Sequence, residues 1–209
     1  GTGIMLGCCG IMAKWAGRMD LYKETIEQLK KSWESLGCPE VVTACPACLT
    51  SLSESIPRMH CTGVWEILHT FGLPNTASSE SPPLRIHDAC QSRNSPEIRE
   101  QIRLLAHTCG YSISEGNYTG TSSGCCGYGG LTQFSNPSLA DEMAGQCISD
   151  TASPFLTYCI NCRDRFLKQG AEAYHILELI YSSSEDEHRW PSYSVRQQNR
   201  MDLKRRLSK

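Results

Sequence analysis

The spacing of the cysteines constrains this chain more than any other sequence feature. Residues 124–130 read GCCGYGG, and further cysteines stand on either side in the pattern C-x34-CC-x32-C-x2-C. Adjacent cysteines close a strained ring if they form a disulfide with each other, whereas several thiolates together suit a metal ion or an iron–sulfur cluster. The spacing therefore predicts a fold that gathers five thiols, those of Cys90, Cys125, Cys126, Cys159 and Cys162.

A related pattern occurs earlier in the chain. GCCG at 7–10 matches GCCG at 124–127, CPAC at 45–48 matches CINC at 159–162, and VWEIL at 64–68 resembles ILELI at 176–180. Three matching blocks in one order indicate an internal duplication. The first copy offers four thiols, those of Cys8, Cys9, Cys45 and Cys48.

The counterpart of Cys90 in the first copy would lie upstream of residue 1. We therefore expect the first site to lack a fifth ligand, because the chain is a fragment or because an upstream segment was lost or placed elsewhere. A longer chain with that strand and cysteine should gain a second complete site.

Composition places the chain among globular proteins of a reducing compartment. Hydrophobic residues make up 40% and charged residues 20% of its 209 residues, and the formal net charge is −2, so its overall charge gives no reason to expect nucleic-acid binding. Thirteen cysteines with CC and CxxC spacings favour metal ligation over a secreted disulfide framework. We expect a cytoplasmic location, with membrane association through a partner as the alternative.

The hydrophobic pattern alternates short strands with amphipathic helices. Strands are predicted at 3–7, 41–44, 84–87 and 155–158, and helices at 21–36, 49–56, 64–68, 96–109, 137–148 and from about 163. This alternation predicts an α/β fold of two tandem pseudo-repeated βα units with mainly parallel sheets. Ligands of such sheets bind at the carboxyl ends of the strands, and we expect the cysteine clusters there.

The boundaries follow from composition and from the repeat. We predict a first half at 1–73, a linker at 74–83 with the sequence PNTASSESPP, a complete second half at 84–181, and a polar, basic tail at 182–209.

With these motifs, the chain resembles the cysteine-rich CCG-domain family, which includes one of the subunits of heterodisulfide reductase and related subunits of glycolate, lactate and anaerobic glycerol-3-phosphate oxidation systems. The resemblance covers about residues 1–180. It implies that the five second-copy cysteines hold a noncubane four-iron cluster of the kind that cleaves a disulfide. Some members hold zinc at one motif.

The motifs and the resemblance therefore leave two metal groups as alternatives, an iron–sulfur cluster and zinc. An iron–sulfur cluster is expected at the second site, where zinc would leave one of five thiols unused. The first site is expected to hold a cluster or zinc, or to be empty or disulfide-bonded. Three functions follow. The first is an iron–sulfur electron-transfer or disulfide-reducing subunit that receives electrons from a flavin or iron–sulfur partner. The second is a zinc-stabilised scaffold of a membrane-linked redox complex, and the third is a metal-free CxxC thiol oxidoreductase.

Other residues near the motifs have supporting interpretations. His87 and Asp88 either brace the loop before Cys90 or tune the site and supply protons. The central glycine motif does not fit a phosphate-binding loop. Its glycines are instead expected to let backbone N–H groups point at sulfur, and they are Gly124, Gly127, Gly129 and Gly130. The isolated cysteines are interpreted mainly as small buried residues, with the first two the better ligand candidates: Cys38, Cys61, Cys109 and Cys147.

The C-terminal tail carries a local positive charge. From His188 onward it has seven Lys or Arg residues against Asp202, a balance of +6. The pattern is typical of a solvated tail or terminal helix. The alternative is docking to an acidic partner subunit or to an anionic membrane surface.

Overall fold

The computed structural model describes residues 3–74, 83–149, 153–181 and 193–207. The first part contains α1 (Ile11–Trp15), α2 (Met19–Ser35), β1 (Val41–Thr43), α3 (Pro46–Ser55), β2 (Cys61–Gly63) and α4 (Val64–Phe71). The second contains β3 (Leu84–Ile86), α5 (Pro96–Thr108), β4 (Ile113–Ser114), α6 (Thr132–Ser135), α7 (Pro137–Ile148), β5 (Phe155–Thr157), α8 (Ile160–Lys168), β6 (Ala173–His175) and α9 (Ile176–Tyr181). The helix α10 (Tyr193–Leu207) follows.

The strands form two parallel sheets, which confirms the predicted fold class. β1 pairs with β2, and the second sheet has the order β4-β3-β5-β6 with every pairing parallel. The path β1-α3-β2-α4 of the first part is repeated as β5-α8-β6-α9 in the second. Among the described residues, β3 and β4 extend the sheet of the second part beyond β5.

One hydrophobic core joins the two parts. Trp65 and Leu68 of α4 are buried in the same cluster as Ile102 and Leu105 of α5. The Trp65 ring also meets the Tyr158 ring edge-on, with 6.3 Å between the ring centroids. Burial of such large aromatic groups is among the strongest stabilising contributions in a small protein, so the packing of α4 on α5 links the stabilities of the two copies.

Several predicted elements differ in detail from the observed ones. The predicted strand at 3–7 is wrong: this segment is irregular, and Ile4 and Met5 are 62% and 43% exposed, so no buried face stabilises a strand. Helices predicted at 49–56 and from 163 begin earlier, at Pro46 and Ile160, directly after a cysteine. The predicted helix at 64–68 extends to Phe71.

Three strands were not predicted, namely β2, β4 and β6. Each has two or three residues, too few to show a clear alternation of buried and exposed positions. Most of the predicted linker, residues 75–82, and residues 182–192 of the predicted tail lie outside the described residues. Within the described ranges, no helix combines the length and hydrophobicity needed to cross a membrane.

Candidate metal centre

The second set of cysteines lies where two neighbouring parallel strands end. Cys90 begins a short 3-10 turn after β3, and Cys159 is the N-cap of α8 directly after β5. β3 and β5 are paired in the sheet, so their carboxyl ends meet at one edge. Cys162 lies in the first turn of α8, and Cys125 and Cys126 approach from an irregular loop.

The five thiols of this set contact one another in sequence. Cys125 interacts with Cys126 and Cys90, which lowers the pKa of Cys125 to about 2. Cys162 contacts Cys126 and Cys159, which raises the pKa of Cys162 and lowers that of Cys159. The pKa of Cys90 is raised by its contact with Cys125. These pairwise contacts link the five sulfurs in the order Cys90, Cys125, Cys126, Cys162 and Cys159, which makes an all-thiol donor set.

The first set repeats this arrangement with four cysteines within the described residues. Cys45 is the N-cap of α3, and the Cys48 thiol donates to the Cys9 sulfur over 3.1 Å. That contact, together with one from Cys8, lowers the pKa of Cys9 to about 3. Cys48 likewise lowers the pKa of Cys45 to about 7, whereas contact with Cys9 raises that of Cys8.

Glycine shapes both CC loops in the same way. The N–H of Gly10 donates to the Cys8 sulfur and the N–H of Gly127 to the Cys125 sulfur, each over 3.4 Å. Both glycines have positive φ, 75° and 84°, a region that side chains disfavour. A Cβ on Gly127 would also come within 2.4 Å of the Ala140 carbonyl oxygen.

The other predicted glycines lie close to the site but have different surroundings. A Cβ on Gly129 would stand 3.4 Å from the Cys125 sulfur and 3.8 Å from the Cys90 sulfur. A Cβ on Gly124 would meet the Cys147 sulfur at 3.0 Å. Gly130 has a φ of 63° at a kink before α6. Small residues here let the backbone lie close to sulfur.

Cysteines of both sets line one cleft between the two copies. Cys45 from the first set lines it together with Cys90, Cys126, Cys159 and Cys162 from the second set. Trp15 and Tyr128, both half-buried, also line it. Cys45 is near enough to Cys159 for their charges to interact. The fold therefore brings the thiol sets of the two copies together, which the separate motifs did not predict.

Asp88 braces the loops around the second set. It is fully buried and accepts hydrogen bonds from Arg103 at 2.8 and 3.1 Å, from the Gly120 N–H at 2.7 Å and from the Tyr158 hydroxyl at 3.0 Å. Burial alone would raise the pKa of Asp88. The hydrogen bonds from these donors and the charge of Arg103 have the larger combined effect, so the pKa is lowered. Asp88 is thus an ionised anchor between α5, β5 and the loop before the CC pair.

His87 is buried beside Asp88, with 2% of its surface exposed. Its ring meets Phe166 edge-on at 4.7 Å. Burial lowers its pKa to about 4, so the imidazole is neutral at pH 7. Among the described residues its Nε2 atom has no hydrogen-bond partner.

The four isolated cysteines lie outside the two thiol sets. None of the thirteen cysteines, all within the described ranges, is in a disulfide. Cys38 is exposed after α2, Cys61 is half-buried in β2, and Cys109 is buried in the shared core. Cys147 is buried beneath the CC loop, with its sulfur 3.8 Å from the Cys125 carbonyl oxygen.

The basic helix α10 contacts the CC loop of the first copy. Arg200 donates to the Leu6 carbonyl oxygen at 3.2 Å, while Arg196 pairs with Asp164 on α8. This part of the tail is therefore a helix that bridges the two copies. Sequence analysis assigned these arginines no such role, because a basic run is usually a solvated surface.

The donor set fits a thiolate-bound metal group. All nine clustered ligand candidates are cysteines, and backbone N–H groups point at two of their sulfurs. Among the described residues, no three cysteine, histidine or carboxylate side chains already surround a single ion-sized position. Thiolates are the ligands of iron–sulfur clusters and of structural zinc.

Comparison with known proteins agrees with this chemistry. An EtfAB:quinone oxidoreductase from Syntrophomonas wolfei subsp. wolfei (strain DSM 2245B / Goettingen) is 26% identical over 132 residues, which are 59% of this chain and 18% of that protein. The chain thus spans about a fifth of the length of this relative. A family model described as a cysteine-rich domain, CCG, matches residues 5–53 and 84–165, the segments that carry both thiol sets, and the chain therefore belongs to the cysteine-rich CCG family.

Proposed function

We propose that this chain is an iron–sulfur electron-transfer subunit of a redox complex. The observation that carries the proposal is the pair of all-thiol donor sets, because Cys45 of the first set and four cysteines of the second set line one cleft between the two copies. The name of the relative, which joins EtfAB and a quinone in an oxidoreductase, supports a redox role.

The ligands of the second site would be Cys90, Cys125, Cys126, Cys159 and Cys162. A cluster of the noncubane four-iron type, bound there, would accept and release electrons and could supply them to a disulfide. The cysteines of the first copy would hold a second group, and their four thiols also suit tetrahedral zinc.

The chain's own residues would prepare the site for that chemistry. The Gly10 and Gly127 N–H groups offset negative charge on sulfur. Asp88 and its partners hold the ends of β3 and β5 together. Trp15 and Tyr128 narrow the access of water to the cleft, and His87 stays neutral beside it.

We further propose that the electron donor is a flavin or iron–sulfur partner and that the acceptor is a thiol/disulfide or quinone-linked compound. The two copies would act as halves at 1–73 and 84–181, joined by the segment 74–83. The helix α10, with its exposed basic residues, would face an acidic partner or an anionic membrane surface.

Metal analysis of anaerobically purified protein tests the proposal. We expect brown protein with iron and acid-labile sulfide in comparable amounts. Colourless protein with zinc alone would instead support the scaffold function, because four thiols at each site can saturate zinc. Metal-free protein that reduces disulfides would support a direct CxxC thiol mechanism and contradict ligation.

A further inference from the structure

In both copies, a side chain of the helix after the CxxC motif donates a hydrogen bond to the carbonyl oxygen of the second cysteine of the CC pair. Ser51 and Arg165 occupy equivalent positions, each three residues after the last cysteine of its CxxC motif, on α3 and α8. Residues three apart share one face of a helix. Both side chains therefore project beside the ligand candidates Cys48 and Cys162.

In the first copy the donor is a hydroxyl. Ser51 Oγ donates to the Cys9 carbonyl oxygen at 3.3 Å, and only 1% of Ser51 is exposed. The Tyr22 hydroxyl of α2 lies 2.9 Å from Ser51 Oγ and 2.7 Å from Ser55 Oγ. Tyr22 thus fixes the serine from α2, the second helix after the CC loop.

In the second copy the donor is a guanidinium. Arg165 Nε donates to the Cys126 carbonyl oxygen at 3.2 Å, and 2% of Arg165 is exposed. Its Nη2 atom donates to Asp141 Oδ1 at 2.8 Å. Asp141 belongs to α7, which also follows the CC loop, so the two copies reach the same carbonyl by different chemistry.

Peptide planarity connects this carbonyl to the sulfur beside it. The carbonyl of Cys9 and the N–H of Gly10 belong to one rigid peptide unit, as do the carbonyl of Cys126 and the N–H of Gly127. Those N–H groups donate to Cys8 and Cys125. Holding the oxygen therefore sets the direction in which the N–H points.

We propose that Ser51 and Arg165 are equivalent positioning residues, each of which locks the Cys–Gly peptide of its CC pair with the N–H aimed at the outer cysteine. Their role at a metal group depends on the proposed function, whereas the lock itself belongs to the protein alone. Neither residue touches the reacting atoms, and each acts through the CC loop.

Amide hydrogen exchange of Gly10 and Gly127, measured by NMR on the reduced, metal-free full chain, tests the lock. We expect Ser51→Ala to speed exchange at Gly10 by about tenfold, the effect of losing one hydrogen bond, without changing Gly127. Arg165→Met should speed exchange at Gly127 and leave Gly10 unchanged. The amide of Ile102 in the shared core reports any general loss of stability.

Matched controls exist on the same helices. Ser55→Ala removes the other hydroxyl bound to Tyr22, and Arg163→Met removes a second buried arginine, which pairs with Asp164 and Glu178 and not with the CC loop. Neither control should change the amide exchange rates of Gly10 and Gly127 relative to the rate of Ile102.

Arg165→Gln separates the lock from general packing. The Gln Nε2 atom is as many bonds from Cα as the Arg Nε atom, so this variant should restore slow exchange at Gly127. Equal exchange at Gly127 in Arg165→Met and Arg163→Met would overturn the proposal, as would unchanged Gly10 exchange in Ser51→Ala. If Arg165→Met does not fold, Arg165→Gln and Ser51→Ala still decide it.

Iron release to a chelator provides the second measurement. Loaded Arg165→Met should lose iron several-fold faster than loaded Arg163→Met, and Arg165→Gln should release it at the wild-type rate. Equal release from the two methionine variants would contradict a role at the metal group. Wild-type protein that takes up no iron would refute the proposed function, while the exchange pattern would still test the lock.

Discussion

At the scale of single residues, the inner cysteine of the second CC pair is the most informative position. Cys126 is 2% exposed and contacts both Cys125 and Cys162, so it lies in the middle of the thiol set. A buried thiol with two thiol neighbours is well placed as a ligand.

We predict that Cys126→Ser removes iron from the second site while the fold survives, because serine keeps the shape of the side chain and lacks the thiolate. Iron per chain, measured after anaerobic reconstitution, checks this. Cys109→Ser is the control, since Cys109 is similarly buried but lies in the shared core. Unchanged iron in Cys126→Ser would refute the ligand assignment.

We predict that Gly127→Ala destabilises the protein by about 2–4 kcal/mol, because alanine would be strained at positive φ and would collide with the Ala140 carbonyl. Urea unfolding measures the loss. Gly145→Ala on α7 is the matched control: its Cβ meets nothing within 4 Å, and helix propensity favours alanine by up to about 1 kcal/mol. Equal stability of the two variants would contradict the prediction.

The sequence identified the cysteines far better than the residues that support them. A CC or CxxC pair is rare enough to suggest chemistry by itself, so the sequence singled out all nine cysteines of the two sets as ligand candidates, and their ligation stays a prediction. Ser51 and Arg165 were missed, because serine and arginine in a helix usually face solvent. The available signal was the charged run RDR at 163–165, which lies between Cys162 and the apolar Phe166 on a short helix. Charges in that position are buried, and Arg165 is one of them.

At the scale of elements, the junction of β6 and α9 carries a buried histidine. His175 Nδ1 accepts from the Leu177 N–H at 3.2 Å, and its side chain also bonds the Tyr158 backbone. Burial lowers the pKa of His175 to about 4. The folded state therefore keeps this imidazole neutral at a pH where an unfolded chain would protonate it.

The sign of the pH effect follows. Stability from a neutral His175 is complete above pH 6.5 and is lost as the pH falls from 6.5 towards 4, by about 1–2 kcal/mol at pH 5. We predict that His175→Asn, whose side-chain oxygen can accept in place of Nδ1, shows a smaller loss between pH 7.5 and pH 5. Urea unfolding at both pH values measures it. His87 is present in both proteins and contributes equally, so identical losses would contradict the prediction.

Prediction of elements succeeded where the hydrophobic pattern was long. The helix at 137–148 was predicted with its observed bounds, and that at 96–109 with one residue too many. The strand predicted at 3–7 from its apolar residues was wrong, because a strand also needs a neighbouring strand and a buried face. The short strands β2, β4 and β6 are set by parallel pairing with distant residues, which local sequence does not encode.

At the scale of the whole molecule, the shared core should unite the two copies in one unfolding transition. We predict that Trp65→Ala lowers stability by about 3–5 kcal/mol, the usual cost of emptying so large a buried site, and also weakens metal retention at the second set, because Trp65 packs on Tyr158 next to Cys159. Thermal unfolding and iron content measure both effects.

Phe71→Ala on the same helix is the control, since Phe71 is 81% exposed and should change stability by less than about 0.5 kcal/mol. Equal losses in the two variants would show that α4 does not join the copies.

The common cleft also has a consequence for how the protein is made. Cys45 and Cys159 come from different copies, their pKa values are both lowered, and a thiolate is the form that attacks in disulfide formation. A newly synthesised chain therefore presents two thiols with lowered pKa values in one cleft before any metal arrives. An oxidant that reached them first would tie the copies together through the ligands themselves. The order of maturation, with metal insertion before exposure to oxygen, would then determine how much of the protein a cell can use.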